Sequence, residues 1–196
     1  MLYLNPYDRF LSETVCLPDR KAVFPMKNVT LIGMPGSGKS TVGVLLAKAL
    51  GYGFLDVDLV IQHREGALLQ DIIDEQGVEY FLEREEEAVC SVDCDRYVIA
   101  PGGSAVLREK GAEHLRSLGP VVYLNVPVEE LQRRIRNMGS RGIAMKPGQT
   151  LADVLAYRAP FYEKCADIVV DCPVGQTLEE TVERVIQRIR PLLEEK

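Results

Sequence analysis

Gly36, Ser37, Gly38, Lys39, Ser40 and Thr41 carry the clearest chemistry in the chain, closing the stretch Gly33-Met34-Pro35-Gly36-Ser37-Gly38-Lys39-Ser40-Thr41. A glycine, four residues and then Gly-Lys-Ser is the spacing of a phosphate-binding loop. The glycines let successive backbone N–H groups turn toward an anion, and a helix opening behind them adds the positive end of its dipole. Lys39 would then reach the outer phosphates of a nucleotide, and the Ser40 hydroxyl would hold Mg²⁺. The stretch predicts a nucleotide-phosphate site.

Asp56 and Asp58 flank Val57 a short way downstream. In extended chain, residues two apart point to the same side, so both carboxylates are expected to face the phosphate loop. Phosphoryl transfer needs one acid near the metal, often through water, and a second to orient or deprotonate the attacking hydroxyl. The pair would also cap a helix starting near Leu59, and capping is compatible with catalysis. Arg133, Arg134, Arg136 and Arg141 lead into a stretch holding Gly139, Gly142, Pro147 and Gly148. Arg133 and Arg136 read as a solvated basic face, whereas Arg141 lies in the loop itself and reads as a lid arginine closing over the transferring group. Arg158, in Tyr157-Arg158-Ala159-Pro160, is either a surface residue or one turned inward to fork onto a carboxylate. Spacing alone leaves both open.

The elements that must position these residues alternate between strand and helix from Met26 onward. Val29–Ile32 precedes the phosphate loop as a buried strand, and Val42–Leu50 follows it as a helix. Gly53–Asp56 is a second strand, followed by a mostly helical stretch from Leu59 to about Val92, interrupted near Gly66 and Gly77. Tyr97–Ala100 runs into the turn Pro101-Gly102-Gly103, Val121–Leu124 is a fourth strand, and Pro127 opens another helix. Residues 138–149 read as a flexible loop, about 151–165 as a helix and Ile168–Val170 as a fifth strand. Leu178, Val182, Val185, Ile186 and Ile189 give a final amphipathic helix. This order predicts an α/β fold with a parallel sheet covered on both faces. Ligands in such sheets bind at the carboxyl ends of the strands, where the phosphate loop, Asp56, the Gly102-Gly103 turn and the loop after Asp171 converge.

The chain's 196 residues suffice for one α/β domain, and its net charge of −6 argues against a nucleic-acid-coating surface. No apolar run approaches membrane-spanning length, and the N-terminus lacks the layout of a signal peptide. The five cysteines (16, 90, 94, 165 and 172) have no framework spacing, which suits a reducing cytoplasm. Cys90 and Cys94 lie four apart but far in sequence from His63 and His114, so they read as reduced, partly buried thiols rather than zinc ligands. Residues 1–25, interrupted by Pro6, Pro18 and Pro25, are expected to be an N-terminal extension to a kinase domain over 26–196. A genuine extension, a partner-binding arm and an alternative start at Met26 all remain open there. Oligomeric state is not readable.

Together and in order, these motifs resemble the shikimate kinase family over roughly residues 26 to 190. The resemblance implies a three-layer P-loop kinase fold, with a five-stranded parallel sheet in order 2-3-1-4-5, helices on both faces and a mobile lid at about 138–150. It implies ATP and Mg²⁺ as cofactors and a small hydroxylated carboxylate as partner. The reaction would move the γ-phosphoryl of ATP to a hydroxyl of that acid, shikimate to shikimate 3-phosphate, as a cytoplasmic step of amino-acid biosynthesis. In the family pattern, Asp56 supports magnesium with Ser40, and Asp58 binds the acceptor's hydroxyls and is the usual candidate base. Gly102 and Gly103 lie under the substrate, Arg134 stacks on adenine, and Arg158 grips the substrate carboxylate. Lys39, Asp58 and Arg141 are the expected catalytic residues.

The chain departs from the family at three positions. The Phe-Arg-x-x-Glu signature reads Phe81-Leu82-Glu83-Arg84-Glu85, the third glycine of the turn is Ser104, and the lid's usual Arg-Pro is Arg141-Gly142. Two arginines around one carboxylate recognise it strongly and repel a nearby ammonium, so Leu82 weakens the clamp and lowers that repulsion. A smaller amino-bearing hydroxy acid such as homoserine would suit one arginine plus Asp58. The loop also resembles that of adenylate kinases, which makes a nucleoside monophosphate kinase an alternative, although those usually carry Gly-Thr where this chain has Ser40-Thr41. A nucleotide-binding sensor with decayed catalysis is the remaining reading. Retention of Lys39, Ser40, both acids and Arg141 speaks against it.

Overall fold

A computed structural model of the protein describes residues 27–135, 143–145 and 148–194. Five strands, β1 (Val29–Ile32), β2 (Gly53–Asp56), β3 (Tyr97–Ala100), β4 (Val121–Asn125) and β5 (Ile168–Asp171), form one sheet in the order β2-β3-β1-β4-β5. All pairings are parallel, with Thr30 of the central strand facing Ile99 on one side and Val121 on the other. The expected order 2-3-1-4-5 is thus the observed one.

Eight helices connect and cover the strands among the described residues: α1 (Lys39–Leu50), α2 (Val57–Glu65), α3 (Leu69–Gln76), α4 (Val78–Cys90), α5 (Glu109–Leu118), α6 (Val128–Arg134), α7 (Leu151–Cys165) and α8 (Leu178–Glu194). α1 packs on α8, and α5 packs on α7. Each pair also touches the sheet, and every residue of β1 is buried, so the two pairs shield opposite faces. In α8 the buried Val182, Val185, Ile189 and Leu193 recur at three- and four-residue steps, the stripe a helix needs to lie on a sheet.

A second apolar cluster, including Val57, Ile61, Ile72, Phe81, Val89 and Leu115, supports α2, α3 and α4 beside the sheet. These helices replace the single interrupted stretch expected over Leu59–Val92. Gly66, at φ 66°, caps α2, and Gly77 separates α3 from α4. α2 begins at Val57 rather than Leu59, and Asp56 is its N-cap. Asp58 therefore stands in the first turn of a helix, and the alternation expected of an extended segment does not apply to it. α1 likewise starts three residues earlier than expected, at Lys39.

Residues 1–25, Arg136, Arg141 and most of the lid at about 138–150 lie outside the described residues. Among the described residues no helix is long and apolar enough to cross a membrane. The four described cysteines are all free, Cys165 and Cys172 being buried.

Candidate active site

The phosphate loop, the turn after β3, the first turn of α2, α4, α6, α7 and the segment leading into α8 line a cavity of about 720 Å³. Gly36, Gly38, Lys39, Ser40, Thr41, Asp58, Gly102, Gly103, Arg134 and Arg158, named from the sequence, all line it. Ser37 is buried beneath the loop, and Asp56 reaches the site through Ser40.

Lys39 opens α1 directly behind the left-handed Gly38, at φ 96°. Its Nζ donates to the carbonyls of Gly33 at 3.0 Å and Met34 at 3.1 Å, which holds the charge in the throat of the loop. Burial lowers its pKa, opposed by the nearby carboxylates of Asp58, Asp56 and Glu85. The Ser40 hydroxyl donates to Asp56 Oδ2 at 2.7 Å, while Asp56 Oδ1 accepts the Asp58 N–H at 3.1 Å. Asp56 is thus both a helix cap and the carboxylate beside Ser40. A hydroxyl and a carboxylate oxygen, with room for phosphate and water, are hard oxygen donors that fit Mg²⁺.

Asp58 reaches the cavity from the first turn of α2. Burial pushes its pKa up to about 6, with Lys39 pulling it down and Asp56 adding to the rise. The sequence reading gave no role to Glu85, which lies beside it. Glu85 falls four residues after Phe81 on α4, so the two share a helix face, and both line the cavity. Only 1% of Glu85 is exposed. Its pKa is pushed up to about 7, chiefly by burial and further by Asp58, against the polar Ser104 and the charges of Arg158 and Lys39.

The Gly102-Gly103 turn is explained by close approach. A side chain on Gly102 would overlap Glu85 Oε1 and stand 2.8 Å from Asp58 Oδ1, and one on Gly103 would stand 2.5 Å from Pro35 Cδ. The buried Glu85 and the half-buried Asp58 therefore converge over Gly102, and the Gly103 backbone lies against the phosphate loop. Tyr162, buried and stacked on Tyr123 with centroids 5.0 Å apart, donates to the Gly103 carbonyl from below.

The question left open for Arg158 is settled: it turns inward, is 2% exposed and donates to the Ala144 carbonyl. Ala144 sits on the short described piece between α6 and α7. The capping box of Thr150 and Asp153 then opens α7.

At the nucleotide end, the fully buried Glu130 accepts Arg133 Nε and Nη2 at 2.9 and 2.8 Å and Arg134 Nε at 2.7 Å. These hydrogen bonds hold its carboxyl down at about 2. Arg133 is largely exposed, as expected, but it is paired and lines the cavity rather than standing on a free basic face. Arg134 also donates to the Ser37 carbonyl at 3.1 Å, tying α6 to the phosphate loop. Ile135, which ends the helix, lies over Gly36, where an added Cβ would come within 2.6 Å of its Cγ1. Gln176, Thr177 and Leu178 complete the wall. Neither these nor Glu130 had a sequence signal beyond their place at the end of a strand or on a helix.

The raised pKa values of Glu85 and Asp58 have a consequence for stability. Both acids bind protons more tightly folded than unfolded, so stability is fullest below the ordinary carboxylate range and declines as pH rises through about 6 to 7. The thermal midpoint of the ligand-free protein is expected to fall between pH 5 and pH 8. Glu85→Gln should flatten that slope and stabilise the protein at pH 8 by on the order of 2 kcal/mol. Denaturant titrations at the two pH values check this, and an unchanged slope in the variant would rule out Glu85 as its source.

A phosphate loop at the head of a parallel sheet, facing two acids and an inward arginine across one cavity, defines a small-molecule kinase of the P-loop class. A protein-family model described as Shikimate kinase matches residues 35–190. The chain is 39% identical over 170 residues to the shikimate kinase of Pseudomonas aeruginosa (strain UCBPP-PA14), covering 85% of this chain and 98% of the relative. It superimposes on the shikimate kinase of Acinetobacter baumannii solved in complex with shikimate, with a TM-score of 0.79, 32% identity and coverage of 87% and 97% of the two chains. The shikimate kinase structure from Bacteroides thetaiotaomicron gives a TM-score of 0.71 at 27% identity, covering 85% and 99%. The chain belongs to the shikimate kinase family, and it is an ATP-dependent phosphotransferase.

Proposed function

We propose that the protein transfers the γ-phosphoryl of ATP to a hydroxyl of shikimate, giving shikimate 3-phosphate. The observation that carries this reading is the single cavity that places Lys39 and the phosphate loop opposite Asp58 and Arg158. One end is built for a polyphosphate, and the other for a hydroxyl and a carboxylate. The solved Acinetobacter relative, which superimposes on this chain, is a complex with shikimate.

In this mechanism the backbone N–H groups of Gly36, Ser37, Gly38 and Thr41 cradle the nucleotide phosphates, and Arg134 flanks the base. Ser40 and Asp56 would hold Mg²⁺, which supplies charge neutralisation at the phosphate oxygens when bound. Arg158 takes the acceptor's carboxylate, and Gly102 and Gly103 let the acceptor approach the backbone. Asp58 accepts the hydrogen bond of the attacking hydroxyl and takes its proton as the O–P bond forms. Lys39 stabilises the charge growing on the transferred group, and Arg141 completes that stabilisation from the lid. The kinase domain spans 26–196 with the lid at about 138–150, and residues 1–25 are an extension to it. The protein acts in the cytoplasm.

The test is ADP release with Mg²⁺-ATP against shikimate, homoserine, other small hydroxy acids and nucleoside monophosphates. Saturable turnover is expected with shikimate at a kcat/KM at least about tenfold above any other acceptor. A preference for homoserine or for a nucleoside monophosphate would replace this reading with another kinase activity. Nucleotide binding without turnover on any acceptor would reduce the protein to a sensor.

A further inference from the structure

The phenol of Tyr162 is buried where three parts of the site meet, and the chemistry above gives it no task. Tyr162 follows Arg158 by four residues on α7, so the two side chains leave the same face of that helix. The residue is fully buried. Its hydroxyl donates to the Gly103 carbonyl in the acceptor turn and lies 3.7 Å from the Sδ of Met34 in the phosphate loop. These partners stand 59 and 128 residues away in the chain. Burial raises the phenol's pKa, against the charge of Arg158, so the group stays a neutral donor.

The ring and the turn have little room to move. Tyr123 of β4 stacks on the ring with an interplanar angle of 28°. The Tyr123 hydroxyl donates to Asn125 at 3.2 Å, and Asn125 donates to Asp171 on β5 at 2.8 Å. The Gly103 backbone lies so near the phosphate loop that an added Cβ would stand 2.5 Å from Pro35 Cδ and 3.1 Å from the Pro35 nitrogen. In that loop the Met34 carbonyl accepts both Lys39 Nζ and the Ser37 N–H at 3.1 Å. One hydroxyl thus ties the acceptor turn to the helix that carries Arg158, where the turn meets the loop that carries Lys39.

We propose that Tyr162 is a positioning residue for phosphoryl transfer: its hydroxyl holds the Gly102-Gly103 turn against the phosphate loop and so fixes the distance between the acceptor and the phosphate it attacks. The identity of that acceptor rests on the proposed function, whereas the tie between α7 and the turn does not. A partly buried carbonyl that loses its donor shifts to find another. Without the hydroxyl the turn therefore draws back from Pro35, and the acceptor is held less tightly and less well aligned. The nucleotide, gripped by the loop's own N–H groups, binds as before.

The experiment uses Tyr162→Phe in the full chain, which removes the hydroxyl and keeps the ring on Tyr123. Its kcat/KM for shikimate is expected to fall about tenfold, with the ATP KM within about twofold of the parent's. Val185→Ala opens a cavity beneath α8, on the other face of the sheet from α7, and serves as the comparison for lost stability alone. It should lower the thermal midpoint at least as far as Tyr162→Phe does, yet leave kcat/KM within about twofold. Amide hydrogen exchange of the ligand-free protein reads the turn directly through Ala105 and Leu107, whose N–H groups donate to the Gly102 and Ser104 carbonyls. Both amides should exchange about tenfold faster in Tyr162→Phe, while those of β1 keep the parent's rate.

A kcat/KM unmoved by Tyr162→Phe, an equal loss in Val185→Ala, or a parallel rise in the ATP KM overturns the proposal. Exchange separates these results from a failure of the proposed function. If no acceptor is turned over by the parent, faster exchange confined to Ala105 and Leu107 upholds the hold of Tyr162 on the turn while the acceptor reading falls. Unchanged exchange at those two amides removes that hold, whatever the protein phosphorylates.

Discussion

Replacing Lys39 with methionine is expected to lower kcat by about 10²–10³-fold, the scale of losing one preorganised charge at a developing anion. Lys39 is 8% exposed, and its Nζ is fixed by two loop carbonyls rather than by a mobile carboxylate. The charge is therefore in position before the reaction begins and needs no reorganisation during it. Methionine keeps much of the stem's volume and removes only the charge, so the fold should persist with a thermal midpoint close to that of the parent. The change also takes away a cation that lowers the pKa of Asp58 and Glu85, so both acids should ionise at still higher pH in the variant. ADP-release kinetics combined with the midpoint shift produced by Mg²⁺-ATP test this. A kcat within about threefold of the parent would remove Lys39 from the catalytic residues.

The second large effect is expected at Asp58. Asp58→Asn should reduce kcat by about 10²–10⁴-fold, the contribution typical of a positioned general base. It should also leave the folded protein as stable as the parent or more so above pH 6, because it removes a partly desolvated anion whose pKa is raised mainly by desolvation. This combination of lost turnover with retained or increased stability separates a catalytic acid from a structural one. Nucleotide binding should survive, since Asp58 contacts the loop only through the field of Lys39. If Asp58→Asn keeps more than about a tenth of the parent's kcat, proton acceptance must be assigned elsewhere in the cavity.

Much of this site was legible because the sequence expresses it locally. The phosphate loop is contiguous, and its glycines, lysine and serine act through backbone geometry set within nine residues. The central strands were readable because the part of a parallel sheet buried on both faces requires short, uninterrupted apolar runs such as Val29–Ile32 and Val121–Leu124. Asp58 was placed correctly for the wrong local reason, since a cap at Asp56 starts α2 early and delivers the side chain from a helix. What escaped the sequence depends on contacts between distant segments. Glu85 ends the Phe81–Glu85 signature, but its role escaped because only its face over Gly102, not its type, separates it from Glu83, Glu86 and Glu87 on the same helix. Glu130 is likewise defined by Arg133, which the sequence presents as solvated charge, and by Arg134, which it presents as a partner of adenine. Arg158 could not be assigned from spacing because nothing nearby shows whether a helical arginine faces in or out.

The contact between Gly36 and Ile135 limits how this chain can vary. Gly36 combines a backbone at φ 81° with an isoleucine packed where its side chain would be, and the neighbouring Arg134 is bonded to Ser37. A residue larger than glycine at 36 would push away the end of α6, and with it the Glu130 cluster at the nucleotide wall. Positions 36 and 135 are therefore epistatic: a change tolerated at one depends on what occupies the other. The phosphate loop of this protein is not an interchangeable cassette, and a loop grafted from another kinase would have to bring its own version of α6.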